Sequence, residues 1–222
     1  AWDAFVMDAW GVDVMVTGSQ KGLMTPPGMG FVFFNTKADA ARDRADLVTP
    51  YWDWRPRTEP EEYYRFFFGT APTHHLYGLR EALNMILHEE GLEAVWQRHA
   101  RLAGAVWSAV EGWGEGGRIA CNIPDRAERS HAVSTIILPQ GNAARLRAWM
   151  TDVAGVTLGI PLGGIEQSGH APEDMFRIGH MGHVNAHMVM GVLGALQTGM
   201  AALQIPHDPG GVAAASAALA EG

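Results

Sequence analysis

The feature that most constrains the fold is an alternation of short apolar runs with longer segments of helical periodicity along the 222 residues. DVMV at 13–16 and FVFF at 31–34 are typical of strands in a sheet buried on both faces. Apolar residues then recur at helical spacing over 92–110, as in a helix that lies across a core. Further strands are predicted at 133–138, 156–160 and 176–180. The alternation predicts an α/β or α+β fold, with a boundary where the long helix begins.

Composition excludes several classes of protein. Hydrophobic residues make up 47% of the chain, which is enough to build one or two packed cores. The 27 glycines and 12 prolines introduce turns throughout, which argues against a disordered chain or a continuous coiled coil. A net charge of −8 without a dense Lys/Arg cluster argues against nucleic acid as the main partner.

The compartment is predicted from the cysteine content and the hydropathy pattern. Cys121 is the single cysteine, so an intramolecular disulfide or a thiolate metal cage cannot form, and a cytoplasmic location is expected. The first residues lack the features of a signal peptide and read like the middle of a longer chain. The apolar core at 188–203 is shorter than the roughly 20 residues of a membrane-spanning helix, so it predicts a buried helix.

A lysine lies in a loop between the first two predicted strands. The loop sequence TGSQKGLMTPPG, at 17–28, contains glycines and prolines that require turns. A lysine amine attacks a carbonyl when burial disfavours its charge, and a shaped loop after a strand can provide such a place. From these features alone, Lys21 is either a catalytic amine or, more commonly, a solvated surface charge.

An arginine interrupts the apolar strand within FRIGHMG at 176–182. Arg177 needs a partner there, and its planar fork suits a carboxylate, either of a protein acid or of a ligand. The residues alone favour a salt bridge to a protein acid. The histidines His180, His183 and His187 permit a third interpretation as metal ligands, but no HExxH motif or carboxylate accompanies them.

The segment 47–72 is rich in aromatic residues and prolines, and this composition is typical either of a loop that covers a core or of an interface with another subunit. Several motifs are absent from the sequence: a Walker A loop, GxGxxG after a strand, GxSxG and a cysteine pair. Nucleotide-dependent phosphoryl transfer and α/β-hydrolase chemistry are therefore not expected. Cys121 has no local histidine motif, which favours an inert thiol over a nucleophile.

Five sequence blocks occur in a fixed order: GSQKGLMTPPG, YWDW, TAPTHHLYGLREAL, EEGLEAVWQRHARLA and FRIGHMG. Together they resemble the second half of a class V, fold type I aminotransferase that uses pyridoxal phosphate, especially the serine-glyoxylate and alanine-glyoxylate enzymes. The tail MAALQIPHDPGGVAAASAAL resembles the serine-glyoxylate type. The resemblance implies an α/β fold in which residues 1–90 end the large mixed-sheet, cofactor-binding domain and residues 91–222 form a small α+β C-terminal domain.

The resemblance also implies roles for individual residues. Lys21 would hold the cofactor aldehyde and move a proton at the substrate α-carbon, and Gln20 would hydrogen-bond the cofactor phosphate. Thr70 would reach the phosphate in the neighbouring subunit of a homodimer. Phe67 stands where relatives commonly have a tyrosine, so that hydroxyl contact is lost or supplied by another residue. Arg177 would bind the substrate α-carboxylate, which leaves the nearby histidines as packing residues and predicts no metal.

The implied reaction is a transamination from a small L-amino acid to glyoxylate, which gives glycine and a 2-oxo acid. Serine is the favoured donor, alanine and aspartate are alternatives, and pyridoxamine or ureidoglycine stays open. In the family, the phosphate-binding turn, the ring-stacking aromatic and the aspartate at the pyridine nitrogen precede the lysine by more residues than this chain supplies. Asp3, Asp8 and Asp13 lie too close to Lys21 for that aspartate's role.

Because those elements are absent, the N-terminal half of the family fold is expected to be required. The chain by itself is then expected to be inactive. The alternative from another functional class is a non-catalytic dimerisation or regulatory fragment.

Overall fold

The structure is a computed structural model that describes residues 3–67, 69–114, 118–162 and 169–221. The chain divides into two compact units, Ala4–Gly91 and Leu92–Gly222, and Asp3 belongs to the second. The assignment of these units to a large and a small domain of the family fold stays a prediction.

The N-terminal unit contains one antiparallel hairpin followed by helices. Strand β1 (Val14–Gly18) pairs with β2 (Gly30–Phe34) so that Val14 lies opposite Phe34 and Gly18 lies opposite Gly30. A 3-10 turn at Tyr63–Phe66 and a π-helical turn at Met85–Glu90 complete the unit. Its regular elements are β1 (Val14–Gly18), β2 (Gly30–Phe34), α1 (Thr36–Arg42), α2 (Arg55–Thr58) and α3 (Thr73–Asn84).

The two predicted strands are confirmed, but the prediction that both of their faces are buried is wrong. Val16 is 71% exposed and Val32 is 50% exposed. These two residues lie opposite each other, so one face of the hairpin is open to solvent. The reason is that β1 and β2 form a two-stranded sheet, and no third strand of the described chain covers them.

Ion pairs hold the start of the aromatic segment against α1. Arg55 donates to the carboxylates of Asp39, at 2.9 Å, and Asp43, at 2.5 Å. The indole of Trp54 donates to Asp39 at 3.0 Å and stacks on the Phe34 ring with a centroid distance of 4.5 Å. This part of the irregular segment is therefore ordered by contacts within the N-terminal unit.

The C-terminal unit packs helices against a three-stranded antiparallel sheet of order β3 (Ala120–Cys121), β4 (Val133–Ile137), β5 (Met175–Gly179). The predicted strand at 156–160 is reduced to a single bridge between Gly159 and Arg177, which corrects that expectation. The elements are α4 (Leu92–Trp113), β3 (Ala120–Cys121), β4 (Val133–Ile137), α5 (Asn142–Asp152), β5 (Met175–Gly179), α6 (Ala186–Ala202) and α7 (Gly211–Ala220).

Helix α4 provides the central apolar stripe that the sequence predicts. Val95, Leu102, Val106 and Val110 are buried in the core of the C-terminal unit. Helix α6 begins at the N-cap Asn185, whose side chain accepts from the Met188 amide, and it contributes further core residues. Among the described residues, no helix is long and apolar enough to cross a bilayer.

Helix α7 approaches α4 through a glycine contact. A Cβ added at Gly112 would lie 3.0 Å from the Gly211 Cα, and a Cβ at Gly211 would overlap the Trp113 indole. The same indole donates to Gln197 of α6 at 2.9 Å. The missing side chain at Gly211 therefore allows three helices to meet.

We predict that Gly211→Ala lowers the free energy of unfolding by about 1–3 kcal/mol, because the new methyl group displaces a buried indole. Urea denaturation followed by tryptophan fluorescence measures the change. Gly210→Ala is the matched control, since a Cβ there meets only the Gly112 carbonyl, at 3.7 Å. Equal losses in the two variants would contradict the packing argument.

Candidate active site

The loop that carries Lys21 connects β1 to β2 and is closed by one buried serine. The Ser19 side chain is fully buried, and its hydroxyl donates to the Pro26 carbonyl at 2.7 Å. The same oxygen accepts from the Met29 amide at 3.3 Å. The Ser19 main chain accepts from Thr25 and donates to Met29, each at 3.0 Å. The predicted shaped loop is confirmed, and Ser19 joins its two ends.

Helix α3 supports the same loop from the other side. His75 Nε2 donates to the Pro27 carbonyl at 3.0 Å. Gly28 has a φ of +143°, and a Cβ there would lie 2.8 Å from His75 Nε2. Glycine is required at this position by both its backbone conformation and the proximity of the imidazole.

Lys21 and Gln20 are exposed at the start of this supported loop. Within the described residues, neither a hydrogen bond nor an ion pair engages the Lys21 amine. The Gln20 amide lies over Gly18, where an added Cβ would come within 2.7 Å of Oε1. The loop therefore presents an amine and a neutral amide whose catalytic and phosphate-binding roles stay predictions.

Thr70 is exposed after Gly69, whose φ is +130°. No described residue hydrogen-bonds the Thr70 hydroxyl, so it is available as a donor. Phe67, at the place where a tyrosine is common, packs edge to face on Tyr63 with a centroid distance of 5.9 Å. A cavity of about 480 Å³ adjoins this stretch and is lined by Pro50, Pro56, Arg57, Tyr64, Arg65, Phe67 and Gly69.

Arg177 lies in the middle of β5, directly opposite Thr135 of β4. Its Nε donates to the Ile160 carbonyl at 2.6 Å, and its main chain exchanges hydrogen bonds of 2.8 and 2.9 Å with Gly159. A Cβ at Gly159 would lie 3.1 Å from the Arg177 Cβ. The segment at 159–160 therefore holds the base of the guanidinium.

The expected salt bridge between Arg177 and a protein acid is not observed in the described parts of the chain. Since Nε is committed to Ile160, Nη1 and Nη2 are the donors that remain for a carboxylate. These two nitrogens can bind both oxygens of one carboxylate. The geometry therefore suits a ligand carboxylate, and that role of Arg177 stays a prediction.

The nearby histidines do not form a metal site. No group of three His, Cys, Asp or Glu side chains that could hold a metal occurs in the described ranges. His180 is fully buried: its Nδ1 donates to the His131 carbonyl and its Nε2 accepts from Ser134 Oγ, each at 2.9 Å. His183 and His187 are exposed.

Two other candidates are also used structurally. Cys121 is buried, and burial raises the pKa of its thiol, which disfavours a nucleophilic thiolate. Asp13 accepts from Lys37 at 2.7 Å and from Asn35 at 2.9 Å, and these hydrogen bonds lower the pKa of its carboxyl. Asp13 therefore anchors the start of α1.

Comparison with known families identifies the chain. The model of the family Aminotransferase class-V matches residues 4–159. The chain belongs to the class V aminotransferases. This family uses pyridoxal phosphate and has the fold type I architecture, so the sequence resemblance is confirmed.

Two curated relatives and one solved structure show how far the similarity extends. A serine--glyoxylate aminotransferase of Arabidopsis thaliana is 36% identical over 220 residues, covering 97% of this chain and 51% of the relative. An L-aspartate--glyoxylate aminotransferase of Paracoccus denitrificans is 36% identical over 213 residues, covering 95% and 51%. The structure of a pyridoxamine-pyruvate aminotransferase from Mesorhizobium loti matches with a TM-score of 0.84 and 25% identity, covering 99% and 55%. This class V chain thus spans about half the length of its relatives.

The amine, amide and hydroxyl groups that this class V aminotransferase chain presents fit pyridoxal phosphate. The cofactor carries an aldehyde and a phosphate, and the lysine loop presents an exposed amine beside an exposed amide. The Thr70 hydroxyl is a further phosphate donor by its chemistry.

Sequence reasoning missed the residues that support the site. Ser19 and His75 close and support the lysine loop, and the Ile160 carbonyl holds Arg177. Ser19 is adjacent to the QK pair and could have been suspected as a turn residue. The Ile160 carbonyl has no side-chain signal, because any residue supplies a carbonyl.

We predict that Ser19→Ala loosens the lysine loop, because it leaves a carbonyl and an amide without their buried partner. The expected loss of unfolding free energy is about 1–3 kcal/mol. Hydrogen exchange of the Met29 amide, measured by NMR, should become faster. Thr58→Ala is the control, since that exposed hydroxyl donates only to the Arg55 carbonyl at 2.9 Å and its loss should cost within about 0.5 kcal/mol. An unchanged Met29 rate would contradict the prediction.

We predict that the buried His180 makes the stability of the protein depend on pH. Burial lowers the pKa of His180 from 6.5 to about 4, although the hydrogen bond to the His131 carbonyl opposes part of this shift. The unfolded chain therefore binds the proton more tightly. Stability from this residue is complete above pH 6.5 and is lost as the pH falls toward 4, by on the order of 3 kcal/mol.

Urea titrations at several pH values test this prediction on His180→Gln, which should remove that part of the pH dependence. His187→Gln, in an exposed position, should retain it. An identical slope in the wild type and His180→Gln would show that another group causes the acid destabilisation.

Proposed function

We propose that this chain is part of a pyridoxal-phosphate-dependent aminotransferase that moves an amino group from a small L-amino acid to glyoxylate. The products are glycine and a 2-oxo acid, and serine is the favoured donor. The observation that carries the proposal is the Arg177 guanidinium, whose Nε is fixed by Ile160 and whose two Nη groups have no described partner. Amino acids and 2-oxo acids share the α-carboxylate that such a fork binds.

The lysine loop supplies the reactive amine of this proposal. Lys21 Nζ would hold the cofactor through its aldehyde, and the same amine would move the proton at the substrate α-carbon. The bound cofactor supplies an electron sink for the density that this deprotonation leaves behind. Ser19 and His75 restrict the loop so that Lys21 starts from a defined position.

The other contacts orient the ligands. The Gln20 amide would hydrogen-bond the cofactor phosphate, and the Thr70 hydroxyl would reach the phosphate in the neighbouring subunit of a homodimer. Arg177 would hold the substrate carboxylate through its two Nη groups. A planar pair of donors also fixes the rotation of the substrate about its carboxylate.

The choice of donor rests on the C-terminal tail. The serine--glyoxylate and L-aspartate--glyoxylate relatives are both 36% identical to the chain, so overall identity does not separate these donors. The tail from Met200 onward resembles the serine type and favours serine. Alanine and pyridoxamine are the comparison substrates, since relatives include enzymes named for them.

We further propose that the activity requires the part of the family fold that lies outside this sequence. The chain spans about half of its relatives' length, and the partners of the pyridine ring are expected outside it. The chain alone is then inactive. The second candidate is a non-catalytic dimerisation or regulatory fragment, which the aromatic, interface-like composition of 47–72 supports.

Substitution of Lys21 and Arg177 in the cofactor-loaded protein that contains this chain tests the proposal. Lys21→Ala should lower kcat with serine and glyoxylate by at least about 100-fold and abolish borohydride labelling of the loop peptide. Arg177→Lys should lower kcat/KM by about 10–100-fold, because it loses a paired, charged contact.

Lys37→Ala is the control for lysine loss, since Lys37 is exposed and pairs only with Asp13. It should retain full activity. Wild-type protein with no transamination of serine, alanine or aspartate, and no borohydride labelling at Lys21, would favour the non-catalytic fragment.

A further inference from the structure

The buried His180 belongs to a directional chain of hydrogen bonds that neither the proposed chemistry nor a metal explains. The Trp107 indole donates to Ser134 Oγ at 2.8 Å, and Ser134 donates to His180 Nε2 at 2.9 Å. His180 Nδ1 must then carry the proton, which it donates to the His131 carbonyl at 2.9 Å. Every donor in the chain has an acceptor, so its geometry is fixed.

This series of hydrogen bonds joins the end of β5 to the start of β4. The His180 amide donates to the Ala132 carbonyl at 2.9 Å, while the imidazole contacts Ser134 and the His131 carbonyl. Ser134 directly precedes Thr135, the residue opposite Arg177. The network therefore begins one residue away from the cross-strand partner of the arginine.

Helix α4 holds the turn that follows. His99 Nε2 accepts from the Gly182 amide at 3.0 Å, and Arg98 donates to the carbonyls of Gly182, at 3.0 Å, and Val184, at 2.9 Å. Residues 180–184 are thus tied to the same helix that carries Trp107. The end of β5 is restrained from β4 and from α4.

The register of β5 decides which face Arg177 occupies. Phe176 and Ile178 face the core, and Arg177 lies between them on the other face. Side chains alternate along a strand, so the alignment of β5 with β4 sets where the guanidinium projects. The apolar residues exclude a full one-residue slip, whereas the polar network fixes the finer position.

We propose that Ser134 and His180 are positioning residues for Arg177, which set the place of its two uncommitted Nη groups through the alignment of β5 with β4. The proposal rests on the proposed role of Arg177 as the ligand of the substrate carboxylate. Neither residue touches the substrate, and their effect reaches it through the strand.

The test removes the Ser134 hydroxyl. In the cofactor-loaded protein that contains this chain, Ser134→Ala should raise KM for the amino donor about fivefold while kcat changes less than about twofold. NMR hydrogen exchange of the Arg177 Nε proton, assigned with Arg177→Lys, should become about tenfold faster as its bond to Ile160 loosens. Ser134→Thr, which keeps the hydroxyl, should restore both values.

Trp113→Phe is the matched control, because it removes another buried indole hydrogen bond of the same unit, the one to Gln197. It should change neither KM nor the Arg177 Nε exchange rate. Equal changes in Trp113→Phe and Ser134→Ala would overturn the proposal and indicate a general loss of stability. If Ser134→Ala does not fold, Trp107→Phe, which removes one donor to Ser134, should give smaller changes in the same direction.

Arg177→Lys distinguishes a failure of the proposed function from a failure of the positioning role. If it leaves KM for every donor unchanged, the carboxylate role of Arg177 fails, and with it the function of the network. If it raises KM while Ser134→Ala alters neither KM nor the exchange rate, the proposed function stands and the positioning role is overturned.

Discussion

The antiparallel pairing of β4 with β5 is the interaction on which the C-terminal unit depends. Its register places Phe176 and Ile178 in the core and Arg177 on the opposite face. The strand pair also provides the surface on which the buried polar network forms between α4 and the sheet. One alignment of ten residues therefore fixes both the apolar core and the orientation of a charged side chain.

In the N-terminal unit, the candidate residue Lys21 is positioned by a loop and not by a strand. A lysine on an irregular segment has a defined position only if the segment itself is fixed, and here a single buried hydroxyl joins the two ends. Lys21 is exposed beside the buried Ser19, and the half-buried Arg177 lies near the buried Ser134 and His180. This division suits sites in general, since rigidity comes from packed groups while chemistry requires access.

Much of this arrangement could be predicted from the sequence. Apolar periodicity located α4 and the main strands, and the ordered blocks around Lys21 and Arg177 gave the family. Burial of both faces of β1 and β2 was predicted wrongly. Apolar residues show that a strand can be buried, but burial itself requires a neighbouring element, and no described strand covers this hairpin. The partner of Arg177 Nε could not be predicted, since a main-chain carbonyl leaves no trace in residue type.

The open β1–β2 hairpin affects how the protein associates with itself. Its valines are exposed and its outer edges have no partner strand among the described residues, so a further strand can pair there. Self-association at high concentration therefore depends on whether a further strand pairs with these edges. The same apolar surface contacts a further strand where one is present and promotes self-association where none is.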